Sequence, residues 1–150
     1  MKNKAFTIIE LLVVVAVIAV LSTIVLFSAR QYANMAKDSS IAGNLAVLIP
    51  AGETYYNIND NSYGTESDED LFCDLAVVTN AESQMPTNSS GSCSDDNDAG
   101  VCCVVAGNGQ SWAACAKLFA TPEEAYCVDS TGIKRKILNE ECTNETTACP

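Results

Sequence analysis

An apolar run near the amino terminus reads Phe6-Thr-Ile-Ile-Glu10-Leu-Leu-Val-Val-Val-Ala-Val-Ile-Ala-Val-Leu21, and it continues with few polar interruptions to Ala29. Glu10 is the only charged side chain between Phe6 and Ala29. At a rise of about 1.5 Å per residue, a helix of this length extends roughly 36 Å, enough to cross a bilayer core of about 30 Å. Residues 6–29 are therefore predicted to form one transmembrane or filament-core helix.

The residues before this run differ from those of an ordinary secretory signal. A signal peptide has a short apolar core that is followed by small residues at the cleavage site. Here the small residue at a plausible cut is Ala5, which precedes the apolar run and follows the basic residues Lys2 and Lys4. Cleavage after Ala5 would remove residues 1–5 as a leader and leave the helix on the mature protein.

The segment Lys2-Asn-Lys4-Ala5-Phe6-Thr-Ile-Ile-Glu10, followed by its apolar run, resembles the amino terminus of the type IV prepilin family. That family includes type IV pilins and the pseudopilins of type II secretion. The resemblance implies that a prepilin peptidase cuts between Ala5 and Phe6 on the cytoplasmic side and methylates the new terminus at Phe6. The chain has Ala5 where the family usually has glycine.

Glu10 is a costly residue in such a helix, since a carboxylate at a bilayer centre costs about 2.5–3.5 kcal/mol. One interpretation is an anchor helix whose acid stays near the interface, where the positive end of the helix dipole favours it. The resemblance implies a second interpretation, in which Glu10 neutralises the Phe6 ammonium of a neighbouring subunit during assembly. We favour the second, because paired buried charges are tolerated where a lone charge is not.

Charge and cysteine content indicate the orientation of the chain across the membrane and the presence of disulfides. The net charge is −11, and the basic leader before an acidic body predicts a cytoplasmic amino terminus and an exported carboxyl-terminal body. An even number of cysteines in an oxidising compartment predicts disulfides, and the absence of histidine and of Cys-x-x-Cys pairs argues against zinc. The disulfide candidates are Cys73, Cys93, Cys102, Cys103, Cys115, Cys127, Cys142 and Cys149.

Three expectations concern how these cysteines pair. Cys102 and Cys103 are adjacent, so on a strand they would point to opposite faces and have different partners. Cys115 and Cys127 flank a predicted hairpin and form a plausible cross-strand pair. Cys142 and Cys149 could close a short loop at the carboxyl terminus, and the remaining connectivity stays open.

The predicted fold class is α+β, with a long amino-terminal helix packed on a small antiparallel β-sheet head that contains disulfides. Residues 30–150 are predicted to contain the amphipathic half of the helix and this head. Ile41, Leu45 and Leu48 recur at helical spacing, and the helix is expected to kink at Pro50 and end near Asn57. A short helix that is capped by Ser67 or Asp68 and runs through Leu75, a loop over residues 82–100 and an irregular tail over residues 139–150 are also expected. The predicted strands cover residues 101–106, 112–118, 125–128 and 133–138.

Catalysis is poorly supported by the sequence. Without histidine there is no Ser-His or Cys-His pair, and oxidised cysteines supply no thiolate, so the chain is predicted not to be an enzyme and to need no cofactor. The acidic charge also disfavours nucleic acid. Asp95 and Asn97 lie in a weak calcium-loop candidate, but Ala99 and Ala106 stand where ligands are expected, so a solvated loop with no metal is favoured.

The predicted function is that of a structural, pilin-like subunit of a type IV pilus or related extracellular filament, held in the bacterial inner membrane as a precursor and displayed at the cell surface after assembly. The expected partners are further copies of the chain, the prepilin peptidase, the inner membrane and the pilus or secretion assembly machinery. A minor pilin or a type II secretion pseudopilin remains an alternative. So does a membrane-anchored extracellular binding domain that does not polymerise, for which Glu10 would be unnecessary. A redox enzyme using Cys102 and Cys103 would need a reducible vicinal pair.

Overall fold

One long helix, α1 (Ile8–Ile58), is the first element of the fold. The structure is a computed structural model, which describes residues 6–65, 71–86 and 101–150. The chain divides into two compact units, Met1–Asn34 and Met35–Pro150. The prediction that the helix continues beyond Pro50 to about residue 57 is confirmed, since α1 contains Pro50 and ends at Ile58.

The end of α1 follows from local backbone preferences. Asp60 and Asn61 have φ values of 51° and 60°, in the left-handed region that ends a helix. Aspartate and asparagine adopt this region more readily than other side chains, because their short polar groups hydrogen-bond locally. The chain therefore leaves the helix at the Asn-Asp-Asn sequence of residues 59–61, where the sequence predicts a turn-rich connection.

Four antiparallel strands form one sheet in the order β1-β2-β3-β4, with each strand paired to the next along the chain. They are β1 (Val101–Val105), β2 (Trp112–Lys117), β3 (Glu124–Asp129) and β4 (Lys134–Leu138). All four match the strands predicted from sequence to within about two residues. The long helix and the antiparallel sheet confirm the predicted α+β class.

The region between helix and sheet differs from the expectation. A second helix, α2 (Ala76–Gln84), occupies part of the segment expected to be a loop from residue 82. Residues Phe72–Asp74 form a single 3-10 turn, and Leu75 is extended, so no helix continues through Leu75. Small and branched apolar residues at helical spacing, Val78 and Ala81, bury one face of α2 and explain why it forms. The predicted caps Ser67 and Asp68 lie outside the described residues.

The first face of the sheet packs against α1. Side chains that alternate along β2, namely Trp112, Ala114 and Ala116, are buried in one apolar cluster with residues of α1 and α2. The helical spacing that predicted an apolar stripe is confirmed, since Ile41, Leu45 and Leu48 are at most 1% exposed. Small alanines on β2 let the helix lie close to the strand.

A polar contact fixes the same helix to the β2–β3 connection. The Asp38 carboxylate accepts backbone hydrogen bonds from Phe119 N–H at 2.6 Å and Ala120 N–H at 3.1 Å. The neighbouring Lys37 places its Nζ 4.3 Å from the centre of the Phe119 ring. A carboxylate that satisfies two loop amides holds that loop against the helix more firmly than an apolar contact alone.

Disulfides attach other segments to both faces of the sheet. Cys73–Cys103 joins the 3-10 turn to β1, while Cys115–Cys142 and Cys127–Cys149 fasten the carboxyl-terminal tail to β2 and β3. Cys102 is also disulfide-bonded, and no cysteine in the described part of the chain is free. Cys103 is bonded to Cys73, so the expectation that Cys102 and Cys103 have different partners is confirmed.

The two proposed local pairs are wrong. Cys115 and Cys127 face each other across β2 and β3, as expected, but neither is bonded to the other. Each is bonded to a cysteine of the carboxyl-terminal tail (residues 139–150) instead. The tail returns across the face of the sheet that does not pack on α1, called the second face below, and it buries Cys142 and Cys149 against this face. The tail begins with a 3-10 turn, Asn139–Glu141, which the prediction of an irregular tail did not include. The rest of the tail has no helix or strand, and it covers the sheet rather than forming a separate loop.

The closest approach between α1 and the sheet yields a stability prediction. A Cβ at Gly52 would lie 2.7 Å from Trp112 Nε1 and 3.0 Å from two carbons of the indole, whereas nothing lies within 4 Å of a Cβ at Gly43. We expect Gly52→Ala to lower the free energy of unfolding by about 1–3 kcal/mol through overpacking. Gly43→Ala in the same helix should raise it by about 0.5–1 kcal/mol.

Denaturant unfolding of the full chain in detergent, followed by Trp112 fluorescence, measures both variants. Equal effects of the two substitutions would contradict the close packing at Gly52.

Candidate functional site

The first turn of α1 contains the residues singled out by the sequence. Thr7 N–H and Thr7 Oγ–H both donate to Glu10 Oε2, at 2.9 and 2.7 Å. Glu10 N–H donates in return to Thr7 Oγ1 at 3.3 Å. Thr7 precedes the helix and Glu10 is its third residue, so the two form a capping box that satisfies amides left without partners at a helix start.

This local role of Glu10 was missed in reasoning from sequence. The signal was available, because a threonine followed three residues later by glutamate, just before an apolar run, is the pattern of a capping box. Glu10 therefore stabilises its own helix whether or not it also meets another subunit. The contact uses one carboxylate oxygen, and among the described residues no hydrogen bond reaches the other oxygen, Oε1.

The apolar side chains that follow are exposed on every side of the helix. Their exposed fractions include 86% at Ile8, 60% at Leu12 and 63% at Val20. In the described residues, α1 is the one helix that is long and apolar enough to cross a membrane, and its most apolar window is not buried within the chain. An uncovered apolar surface of this size requires lipid or other apolar helices around it.

The remaining predicted site residues are distributed as follows. Phe6 is described and is 73% exposed. Ala5, Cys93 and the calcium candidates Asp95 and Asn97 lie outside the described residues, so the structure leaves these predictions untested.

The sulfurs of Cys102, Cys115 and Cys142 lie within 4.8 Å of one another, a spacing compatible with a metal centre. Cys115 and Cys142 are bonded to each other, and Cys102 is disulfide-bonded too, so none supplies the thiolate that a metal needs.

Two charged regions lie on the head. An open cleft of about 350 Å³ is lined in part by Asp74 and Glu82, and burial together with the Asp74 charge raises the pKa of Glu82. On the edge strand β4, Lys136 Nζ lies 2.7 Å from Glu124, and this hydrogen bond lowers the pKa of the Glu124 carboxyl. Lys134 and Arg135 beside it are exposed, as expected for a solvated strand face.

Asp129 is the one buried charged residue among those described, with 1% of its surface exposed. Its Oδ1 accepts hydrogen bonds from Thr131 N–H at 2.9 Å, from the Thr131 hydroxyl at 2.6 Å and from Ile133 N–H at 3.2 Å. Its Oδ2 accepts from Cys149 N–H at 3.1 Å, which ties the tail to the β3–β4 turn. Burial raises the pKa of Asp129, but these hydrogen bonds outweigh burial and hold the pKa below its ordinary value of 3.8.

Comparison with protein families identifies the amino-terminal segment. Residues 1–26 match the Prokaryotic N-terminal methylation motif, which confirms the recognition of the prepilin signature shared by type IV pilins and pseudopilins. The motif supports a type IV pilin-like or pseudopilin protein, a structural rather than enzymatic kind. Searches of curated proteins and of solved structures each found no match.

The buried Asp129 predicts how stability depends on pH. Because its pKa is lower in the folded chain, its contribution is complete above its ordinary pKa of 3.8 and is lost as pH falls through the folded value. Asp129→Asn places an amide donor beside backbone donors, and we expect a loss of about 1–3 kcal/mol at neutral pH. Urea unfolding from pH 7 to pH 2.5 should show a shallower acid decline for this variant than for wild type.

Glu140→Gln, which changes an exposed acid in the tail, is the matched control and should retain the wild-type decline. Parallel acid declines for wild type and Asp129→Asn would contradict the assignment.

Proposed function

We propose that the chain is a structural subunit of a type IV pilus or related extracellular filament, processed between Ala5 and Phe6 and assembled through α1. The observation that carries this proposal is the methylation motif over residues 1–26, which includes the first part of an uncovered apolar helix. A removable secretory signal would need no ordered apolar helix on the mature protein. A filament subunit needs one, because its helix leaves lipid and packs on other helices.

The proposed pathway uses the two chemical environments available to α1. In the precursor, the apolar residues lie in the inner membrane, with the basic leader on the cytoplasmic side and the disulfide-bonded head outside. On assembly, helices of neighbouring copies replace lipid around one another, and the acidic head faces water. The partners are accordingly the prepilin peptidase, the assembly machinery, the inner membrane and further copies of the chain.

The geometry of Glu10 suits a contact between copies. Its Oε2 is occupied by Thr7, which orients the carboxylate at the start of the helix, and Oε1 is left to accept a further donor. In the proposed filament that donor is the ammonium of Phe6 from a neighbour. Removing one partner of a buried ion pair costs about 3–5 kcal/mol, because the other charge stays buried without compensation.

Processing is tested at the new amino terminus. We expect mass spectrometry of surface filaments to show a chain that begins at Phe6 and carries one added methyl group, because the resemblance of residues 2–10 to prepilins implies a cut after Ala5. An extracellular chain that begins after Ala29 would overturn the proposal, since the apolar run would then be a removed signal.

Glu10 variants separate charge pairing from helix capping. Glu10→Gln keeps a side-chain carbonyl that can accept from Thr7, since glutamine serves in capping boxes, but it removes the charge. We expect Glu10→Gln and Glu10→Ala both to lower the yield of sheared filaments at least about tenfold, equivalent to about 1.4 kcal/mol. Membrane insertion, measured by fractionation, should be retained because a charge has been removed from an apolar helix.

Thr7→Ala is the matched control. It removes the hydroxyl of the capping box, at a cost of about 1 kcal/mol in helix stability, and keeps the acid. Filament yield should therefore fall much less than with Glu10→Gln.

A membrane-anchored extracellular domain that does not polymerise is the second candidate. The capping box favours it in one respect, because it gives Glu10 a purpose within a single chain. In that case Glu10→Gln would behave like wild type, and isolated surface material would contain no filaments of this chain. A minor pilin or pseudopilin would instead be a small fraction of filaments built mainly from another subunit.

A further inference from the structure

The two edges of the sheet carry opposite charges. β4 is one edge strand, and it contains Lys134, Arg135 and Lys136. Six basic side chains follow the proposed leader, and half of them are on this strand. β1 is the other edge strand, and it lines the open cleft that contains Asp74 and Glu82. A basic patch and an acidic patch therefore lie at opposite edges of one sheet.

Lys134 and Arg135, called the basic edge below, have no acidic partner in their own chain. Lys136 lies 2.7 Å from Glu124, and this is the one salt bridge among the described residues. Lys134 and Arg135 are exposed, and neither makes a salt bridge or a side-chain hydrogen bond within the described part of the chain. Charges on an edge strand can serve only to keep other strands away. That role needs no acidic partner, so it leaves both cations available to one.

The Asp74 and Glu82 carboxylates, called the acidic cleft below, have no cation either. Burial raises the pKa of Glu82 and the Asp74 charge raises it further, and no cation among the described residues opposes these effects. Glu82 also lies in the last turn of α2, where the helix dipole disfavours a negative charge. A cation that enters this cleft from outside would therefore stabilise the ionised carboxylates.

The topology of the sheet keeps the two patches apart within one chain. The edge strands are separated by three strand spacings of about 4.8 Å each, roughly 14 Å in all. A salt bridge needs the two atoms within about 4 Å. Lys134 is the register partner of Val128, which belongs to the apolar cluster on the first face, so the two side chains share that face. Because α2 packs against the same cluster, a second sheet placed alongside in the same orientation would bring Lys134 of one copy towards Glu82 of the next.

We propose that the heads of neighbouring copies meet edge to edge, with the basic edge of one copy against the acidic cleft of the next. This inference rests on the proposed filament function and specifies a contact between its heads. Each copy offers one basic edge and one acidic cleft, so the contact is heterologous and can repeat without closing, as an open filament requires. The contact also brings opposite charges together in a chain whose net charge of −11 would otherwise make the heads repel one another.

Charge-reversal variants test the contact through the yield of sheared filaments. Lys134→Glu/Arg135→Glu places acids against the acidic cleft. We expect the yield to fall at least about tenfold, because like charges that face each other across an interface repel. Adding Asp74→Lys/Glu82→Lys restores opposite charges in the reversed arrangement and should recover most of the yield.

Glu123→Lys/Glu140→Lys is the matched control for this rescue, because it changes the net charge equally at two exposed acids outside the cleft. Added to Lys134→Glu/Arg135→Glu, it should leave the yield low. Equal rescue by both pairs would contradict the contact, since net charge alone would then decide the yield. Wild-type Trp112 fluorescence and the absence of alkylatable thiols show that each variant head is folded.

Zero-length cross-linking tests the contact in wild-type filaments, without any substitution. A carbodiimide activates a carboxylate, a lysine amine in contact with it displaces the activated oxygen to form an amide, and the reagent leaves as its urea. We expect a peptide that links Lys134 to Glu82 or Asp74 in filaments but not in detergent-solubilised monomers. The pair Lys136 and Glu124, which lies within one chain, should be linked in both samples and is the internal control. Filaments that show the control link without the Lys134 link would overturn the proposal.

Glu10→Gln separates this proposal from the filament function on which it rests. Loss of filaments with Glu10→Gln, together with a normal yield from Lys134→Glu/Arg135→Glu, would leave the filament function standing and overturn the edge contact. Absence of filaments from cells that express the wild-type chain would overturn both.

Discussion

The contact between α1 and Trp112 is the constraint around which the head is arranged. Gly52 allows the helix to lie against the indole, and the ring of Phe72 packs on the same side chain, tilted by 47° with centroids 4.7 Å apart. Tyr63 meets the indole edge-on at 6.4 Å. These rings come from the helix-to-sheet connection, so one strand residue orients both α1 and the segment that follows it. Aromatic pairs of this kind contribute beyond the area that they bury.

The second face of the sheet is covered in a different way from the first. Its residues on β2 and β3 are small, with Ala113 and Ala125 beside cysteines, and neither α1 nor α2 contributes to the cluster on this face. Two disulfides and the Asp129 carboxylate bring the tail onto this face. The tail, which has little regular structure, thus takes the place of a second layer, and its cysteines Cys142 and Cys149 are buried against the sheet.

Much of this fold could be predicted from periodicity. Helical spacing at Ile41, Leu45 and Leu48 and the short strand candidates between residues 101 and 138 are local side-chain patterns, which the sequence displays directly. Disulfide connectivity could not be predicted from local patterns. Proximity along the chain favoured a Cys115–Cys127 bond, whereas docking of the tail on the sheet decides the observed pairing. The helix α2 was missed because it is only nine residues long and adjoins a polar segment. In the candidate site, the special position of Glu10 was predicted, but its bond to Thr7 was overlooked in favour of an intermolecular role.

That overlooked bond changes how the acid in the apolar run is understood. A carboxylate bound to Thr7 has part of its hydrogen-bonding capacity satisfied within its own chain, which lowers the cost of holding it near lipid before any partner arrives. In the proposed filament, capping and pairing between subunits would therefore act in sequence rather than as alternatives. The first orients one carboxylate at the beginning of α1, and the second, in the proposed filament, adds an ammonium to the oxygen that capping leaves unused. An acid prepared in this way loses less conformational entropy when the ion pair forms, so the same residue can serve membrane storage and assembly.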